Sequence, residues 1–336
     1  MLIKNNKLLK QSEFKLEKDI QTFVEKHIPD ILGEEYEFVC TEFIVGDFRI
    51  DSLAFNKETK SFIIIEDKKV ENKSLVDQGL TYLKLLRDRK ADFILKYNEI
   101  MDANYNVNDI DISQSKVVFF SPYYNKYQIY SSDYQNIPFD LYKITKYEDD
   151  IIDVEKIDRT SKERFNNEIF KELNSNINND KDEIKVYTEE DHLCKFNNES
   201  INEVYEYFKD EVLSCGDIDI DVKKVYIAFK GRRNITDVKF LKNSLEVSIN
   251  VKLGNMDDPT NILKTYFYDD GDVDKWGAEK GVGEQYLVAL QENVNYAYIT
   301  YLINVLPAEV DVTGVTLDKT EATLEVGATE TLTAAV

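Results

Sequence analysis

Two carboxylates and a lysine, spaced to meet where two strands end, are the residues of this chain best suited to chemistry. Asp51 lies in the largely apolar run Arg49-Ile50-Asp51-Ser52-Leu53-Ala54-Phe55. The strand-like stretch Ser61-Phe62-Ile63-Ile64-Ile65 then runs straight into Glu66-Asp67-Lys68-Lys69. Strand side chains alternate faces, so Glu66 and Lys68 point one way and Asp67 the other. If the Asp51 strand pairs with its successor as a hairpin, Asp51 and Glu66 meet at one sheet edge. Carboxylate oxygens suit Mg²⁺, with Mn²⁺ as a substitute, and such a cation supports phosphodiester cleavage by neutralising phosphate oxygens and acidifying the attacking water. Lys68 beside that water would orient it and stabilise developing negative charge. Apolar strands often end in charged residues, so the surrounding elements decide whether the triplet is a site.

Upstream, 12–32 reads as an amphipathic helix with Leu16, Ile20, Phe23, Val24, Ile28 and Ile31 at helical spacing. Glu17, near its start, either faces inward or is an ordinary first-turn glutamate favoured by the helix dipole. Downstream, Ser74-Leu75-Val76-Asp77 resembles a capping box, and a helix follows to about residue 87. Gln78 and Tyr82, four apart, share one face of it, while Val76, Leu80 and Leu83 form a separate apolar stripe. Strands are expected at 38–43, 48–55, 61–66, 92–96, 116–120 and 138–143, with a helix within 123–134. This mixed order implies an α/β sandwich around one central sheet.

Residues 12–145 resemble the PD-(D/E)XK nuclease superfamily, a restriction-endonuclease-like αβ sandwich whose core runs helix, three strands, helix, strand. By that resemblance Asp51 matches the metal-binding aspartate, Glu66 and Lys68 the (D/E)xK pair, and Glu17 the glutamate of the first core helix. Gln78 and Tyr82 match the Gln-x-x-x-Tyr element of the RecB-like branch. The resemblance implies a metal-dependent DNA endonuclease or exonuclease. In it Asp51 and Glu66 hold Mg²⁺, helped by the Asp67 carbonyl and by Glu17 through water, Lys68 acts on the water, and Gln78, Tyr82 and Lys69 meet nucleic acid or brace Lys68. Two positions depart from the pattern: Ile50 replaces the nominal proline, and Asp67 stands where an apolar residue is usual. The strings Ile63-Ile64-Ile65-Glu66-Asp67-Lys68-Lys69 and Leu75-Val76-Asp77-Gln78-Gly79-Leu80-Thr81-Tyr82-Leu83 are also similar to those of a mostly uncharacterised group of bacterial PD-(D/E)XK proteins.

Composition sets bounds. A chain of 336 residues, 43% hydrophobic, holds two ordinary domains. It lacks the roughly 20 continuous apolar residues of a membrane helix, and Met1-Leu2-Ile3-Lys4-Asn5-Asn6-Lys7 lacks the apolar core of a secretory signal. Cys40, Cys194 and Cys215 have no metal spacing, which suits a reduced, cytoplasmic protein without a membrane partner. His27 and His192 are too isolated for a zinc site. A net charge of −22 opposes DNA binding by the whole surface. Its distribution is uneven: residues 1–150 carry 21 Lys and Arg against 27 Asp and Glu, a net of −6, and the remainder carries −16. Within 68–90 the balance is +4.

The chain divides, on this reading, into a nuclease-like domain at 1–160, a polar linker at 161–191, a smaller α+β domain at 192–306 and a tail at 307–336. Ser200-Ile201-Asn202-Glu203 reads as a capping box opening a helix with Ile201, Val204, Tyr205, Phe208 and Val212 as its stripe. Strands are expected at 224–229, 236–241 and 244–252, and a closing helix at 293–305. Tyr226-Ile227-Ala228-Phe229-Lys230-Gly231-Arg232-Arg233-Asn234, Asp257-Asp258-Pro259, Trp276-Gly277 and Gly281-Val282-Gly283 resemble domain-of-unknown-function family 5655, a module fused behind PD-(D/E)XK nucleases. Lys230, Arg232 and Arg233 either grip phosphates or form a solvated hairpin tip, and the module is a candidate docking surface for a protein partner. Val312-Thr313-Gly314-Val315-Thr316-Leu317-Asp318-Lys319 and Leu324-Glu325-Val326-Gly327 resemble the opening of a bacterial Ig-like domain, group 2, too short to bury a sandwich core. A catalytically inactive nucleic-acid-binding or protein-interaction scaffold that keeps the nuclease fold is the alternative to an enzyme.

Overall fold

The computed structural model describes residues 3–4, 7–70, 75–134, 136–159, 183–231 and 234–249, together with the strands 264–267, 284–291, 316–317 and 334–335. Two compact units emerge, the first built on residues 1–197 with 221–228 and 270–275, the second on the rest.

The first unit is an α/β sandwich around one mixed sheet. Its strands are β1 (Gln11–Ser12), β2 (Tyr36–Val45), β3 (Phe48–Asn56), β4 (Ser61–Asp67), β5 (Lys116–Ser121), β6 (Phe139–Tyr147) and β7 (Ile152–Lys156). They lie in the order β1-β6-β5-β4-β3-β2, with β7 also paired to β6. The chain from β2 to β4 is an antiparallel meander, whereas β5 joins β4, and β6 joins β5, in parallel. Parallel neighbours need long crossovers; the first is supplied by α3 (Leu75–Asp88) and α4 (Lys90–Met101).

Strand alternation sorts the core into two layers. Phe62, Ile64, Val117 and Phe119 face Leu80, Leu83, Leu86, Phe93 and Tyr97 of α3 and α4. Ile63, Ile65, Val118 and Phe120 face Ile20, Val24 and Ile28, carried by α1 (Glu17–Lys26) and α2 (Ile28–Leu32). Every residue of β4 is buried, as expected of a strand covered on both faces.

The structure corrects several local expectations. The single helix expected over 12–32 is two helices. Ser12 belongs to β1, α1 begins at Glu17 with the Asp19 carboxylate accepting the Leu16 N–H at 2.8 Å, and the break at His27 precedes Pro29, which has no N–H to continue the ladder. Residues 92–96 are not a strand but the middle of α4: Phe93, Ile94, Tyr97 and Met101 recur at helical spacing and pack on the core. The expected linker is partly reclaimed, since Ile184 is buried in the first unit's core and Lys185 donates its N–H to the Ser113 carbonyl at 2.9 Å. At the far end of β5 from the site, half-buried Lys116 meets Asp140 of β6 at 2.6 Å, with Lys156 and Arg159 each 3.6 Å from that carboxylate.

In the second unit the helix Glu199–Leu213 buries the expected stripe of Ile201, Val204, Tyr205, Phe208 and Val212. Its cap is Asn198, whose side chain accepts the Ile201 N–H at 3.3 Å, so Ser200 lies inside the helix rather than at its start. Tyr205 and Phe208 pack on Phe240 and Phe229. The unit's strands Asn234–Phe240 and Ser244–Ile249 pair antiparallel, and a further strand runs at Ile227–Lys230, whose first two residues are assigned to the first unit. Ser74, Arg232, Arg233, the stretches 257–259, 276–277 and 281–283, the helix expected at 293–305 and most of the tail lie outside the described residues; within the tail Thr316–Leu317 pairs with Ala334–Ala335.

Candidate active site

The β3–β4 hairpin brings the two carboxylates together. Its register pairs Ser52 with Ile65, so the next step outward places Asp51 opposite Glu66. Residues directly opposite in an antiparallel pair share a face. Glu66 in turn lies beside Phe119 of β5, whose ring is in the α3–α4 layer, so Glu66 opens toward α3. Beyond the last residue of β4, Lys68 still donates its N–H to the Phe120 carbonyl at 2.8 Å, which holds the triplet's last residue in strand geometry.

Lys68 is the hub of the site. Its ammonium donates to the Glu66 carboxylate and, at 3.2 Å, to the Asp67 carbonyl. It also stands 3.7 Å from Asp51 Oδ2 and 3.9 Å from Glu17 Oε1. Asp51 Oδ2 accepts the Asp67 N–H at 3.1 Å, and Glu17 Oε2 accepts the Lys69 N–H at 3.0 Å. Glu17 is therefore no idle first-turn residue: α1 aims it across the end of β4. Lys69 extends its own ammonium to the Lys15 carbonyl at 2.8 Å.

Gln78 and Tyr82 reach the site through Glu66. Gln78 Nε2 donates to Glu66 Oε1 at 2.5 Å and to the Tyr82 hydroxyl at 3.0 Å, and that hydroxyl donates to the Arg49 carbonyl at 3.1 Å. Tyr82 is only 4% exposed. Within the protein the pair braces Glu66 rather than Lys68. α3 can lie close enough for this because Gly79 meets Phe139 of β6; a Cβ built there would stand 2.5 Å from the Phe139 ring.

Burial governs the charges. It pushes the Glu66 carboxyl above its ordinary pKa, the Asp51 charge adds to the rise, and Lys68 only partly counters it. Burial alone would lower Lys68, yet the charge and hydrogen bond of Glu66, with Asp51 and Glu17, more than offset it and the net shift is upward. Asp67 follows Ile63 and Ile65 onto the α1 face, as its parity requires. It is fully buried there and neither carboxylate oxygen has a hydrogen-bond partner. Burial, then the charges of Asp51 and Glu66, raise its pKa well above normal.

Among the described residues, no three His, Cys, Asp or Glu side chains gather into a group that could hold a metal ion. Asp51 and Glu66 form a pair, and Lys68 sits between them and Glu17. The donors that do converge are hard oxygens, the Asp51 and Glu66 carboxylates and the Asp67 carbonyl, and buried Glu66 Oε2 has no hydrogen-bond partner. That donor set fits Mg²⁺ or Mn²⁺ rather than a soft metal. The three cysteines are free, and His192 is a core residue bonded to the Lys223 carbonyl.

Two features were not anticipated from the sequence. Gln21, 6% exposed, donates to the Asp51 carbonyl at 2.6 Å and fixes the backbone under that carboxylate; its only sequence signal is a polar residue beside Ile20 within an apolar stripe. A cleft of about 660 Å³ also opens beside Lys69, between the Ser121–Tyr124 turn and the β1–β6 edge.

Among the described residues, no helix is long and apolar enough to cross a membrane. A protein of Haemophilus influenzae known only as an uncharacterized protein is 38% identical over 296 residues, which cover 88% of this chain and 94% of that protein. A match of that length cannot fit within the first unit, so it runs into the second. No protein-family model and no solved structure matches the chain.

Proposed function

The chain belongs to one family with that Haemophilus influenzae protein, and we propose that it is a divalent-cation-dependent nuclease of the PD-(D/E)XK type, hydrolysing phosphodiester bonds in DNA. The observation that carries this reading is the convergence of Asp51, Glu66 and the Asp67 carbonyl on the Lys68 ammonium, with Glu17 at its margin.

In this reading Asp51, Glu66 and the Asp67 carbonyl would hold Mg²⁺ or Mn²⁺, and that cation would neutralise phosphate oxygens and favour ionisation of the attacking water. Lys68 does not take the proton. Its raised pKa keeps it charged at neutral pH, so it works as a donor that points the water and offsets negative charge on the phosphate. Glu66 must be ionised to serve, and the fixed donor from Gln78 helps hold it so. Glu17 holds the Lys69 N–H and keeps the loop after β4 in register with α1.

A catalytically inert scaffold is favoured by one observation, the overall charge of −22. Cleavage of single-stranded, duplex and circular DNA with Mg²⁺ or Mn²⁺, wild type beside Lys68→Ala, separates the two. Metal-dependent cutting that the variant loses supports the enzyme. No cutting by either protein, with no cation binding by calorimetry, leaves the scaffold.

A further inference from the structure

The cleft beside Lys69 has a chemistry of its own. Among the described residues, Lys69, Lys143 and Lys146 line it against a single acid, Glu13, in a chain whose overall charge is −22. Lys143 is exposed. Lys146 pairs with Asp150 at 3.0 Å, but Asp150 is 91% exposed, and a surface pair of that kind yields readily to a phosphate.

The opposite wall is aromatic and fixed. Ser121 Oγ accepts the Tyr123 N–H at 3.2 Å and donates to the Tyr123 carbonyl at 2.9 Å, closing a tight turn. Tyr124 donates its hydroxyl to the Phe119 and Tyr142 carbonyls at 2.8 and 3.1 Å and anchors that turn to β5 and β6. Tyr123 is thereby presented at the cleft with 57% of its surface exposed. An exposed ring on a pinned turn loses little freedom on binding a flat partner.

We propose that this cleft binds single-stranded nucleic acid, one unstacked base lying on Tyr123 and the flanking phosphates on Lys143, Lys146 and Lys69. The inference rests on the nuclease reading for its choice of occupant, and deepens it by naming the form of the substrate. Lysines beside an aromatic platform are what a strand with free base faces recognises, since stacking is available to any base and the backbone supplies the charge. A duplex hides its base faces and would leave Tyr123 unused. An acidic peptide would also leave it unused. The volume is that of a small-ligand pocket, about 300–1,000 Å³, and Lys69, the residue after Lys68, is among those lining it.

The test is fluorescence anisotropy with a labelled single strand of about 12 nucleotides and its blunt duplex, in EDTA so that nothing is cut. The single strand should bind at least tenfold tighter than the duplex, by about the worth of one stacked base. Tyr123→Ala should weaken the single strand by about 5- to 150-fold, with Tyr123→Phe near wild type and the duplex unmoved. Lys143→Glu should weaken it and flatten its salt dependence. Equal binding of both forms, or an unchanged affinity for a Tyr123→Ala protein with a wild-type melting temperature, overturns the proposal. So does competition by polyglutamate that Tyr123→Ala leaves intact. Because the readout needs no cleavage, the two readings fail separately. Metal-dependent cutting with an indifferent Tyr123 leaves the nuclease and removes the cleft's role; Tyr123-dependent strand binding without cutting does the reverse.

Discussion

The ammonium of Lys68 touches the carboxylate of Glu66 across one intervening residue, on the same face of the same strand end. Each sets the other's charge. Burial would discharge both alone, and together Lys68 stays protonated while Glu66 rises less than burial and Asp51 would drive it. The lysine is also a rival of any cation, because it stands within reach of the same oxygens.

Lys68→Ala should therefore separate binding from catalysis. Without the ammonium, Asp51 and Glu66 repel each other, and a divalent cation relieves that repulsion. Calorimetry should show Mg²⁺ or Mn²⁺ binding tighter to the variant than to wild type, while cleavage falls by about 100-fold or more, the usual cost of a lost charge-stabilising donor. Weaker cation binding by the variant would mean that Lys68 organises the carboxylates rather than competing for them.

The pH dependence follows from Glu66. Its pKa is raised, so it is protonated to a higher pH than an ordinary glutamate and must lose that proton to hold a cation. Cation affinity and cleavage should rise together with pH above the range where ordinary carboxylates have finished titrating. Lys68→Ala removes a positive neighbour, so in that variant the rise in cation affinity should move to higher pH. A flat affinity profile from pH 5 upward would contradict the assignment of Glu66.

Asp67 makes a prediction about stability alone. Its carboxyl is fully buried without a hydrogen bond, and its pKa is raised above the unfolded value. The folded protein thus binds more protons at this residue, and its contribution is favourable below the unfolded pKa, then lost as pH rises through the folded one. Asp67→Asn carries no charge to bury. It should melt higher than wild type at pH 8, with the difference closing toward pH 4. Wild type and variant melting alike at pH 8 would show that Asp67 finds a partner in solution.

How much of this was legible in the sequence depended on how local the geometry was. Asp51, Glu66 and Lys68 could be placed because a hairpin's parity is written in the spacing of its residues. Gln78 and Tyr82 could be put on one face because four residues make about one helical turn. The brace they form was not legible, since it depends on how closely α3 approaches β6, a distance set by Gly79 and Phe139, which lie 60 positions apart. The cleft was hidden for the same reason. Lys143 and Lys146 come beside Lys69 only because β5 and β6 add in parallel after long crossovers, and β1 returns to pair with β6. Residues 92–96 failed differently: Phe93 and Ile94 alone cannot tell strand from helix, and the deciding residues, Tyr97 and Met101, lie beyond that short window.

Gly79 offers the sharpest test of that brace. A Cβ at this position would stand 2.5 to 3.0 Å from three atoms of the Phe139 ring. The ring is buried and packed edge-on against Phe119 at 5.6 Å, so it has nowhere to swing. Alanine gains about 1 kcal/mol of helix propensity, but overpacking costs about 1–3 kcal/mol, so Gly79→Ala should lower stability on balance. The larger effect should be on catalysis: α3 must lift from β6, Gln78 loses its bond to Glu66, and cleavage should fall by more than the melting temperature would suggest. Gly79→Ala combined with Phe139→Leu gives the helix back its room. Recovery of cleavage in that double variant, measured beside Phe139→Leu alone, would show that Gly79 serves the site by letting α3 close on the sheet; persistent loss would mean that Gln78 is not what holds Glu66 in place.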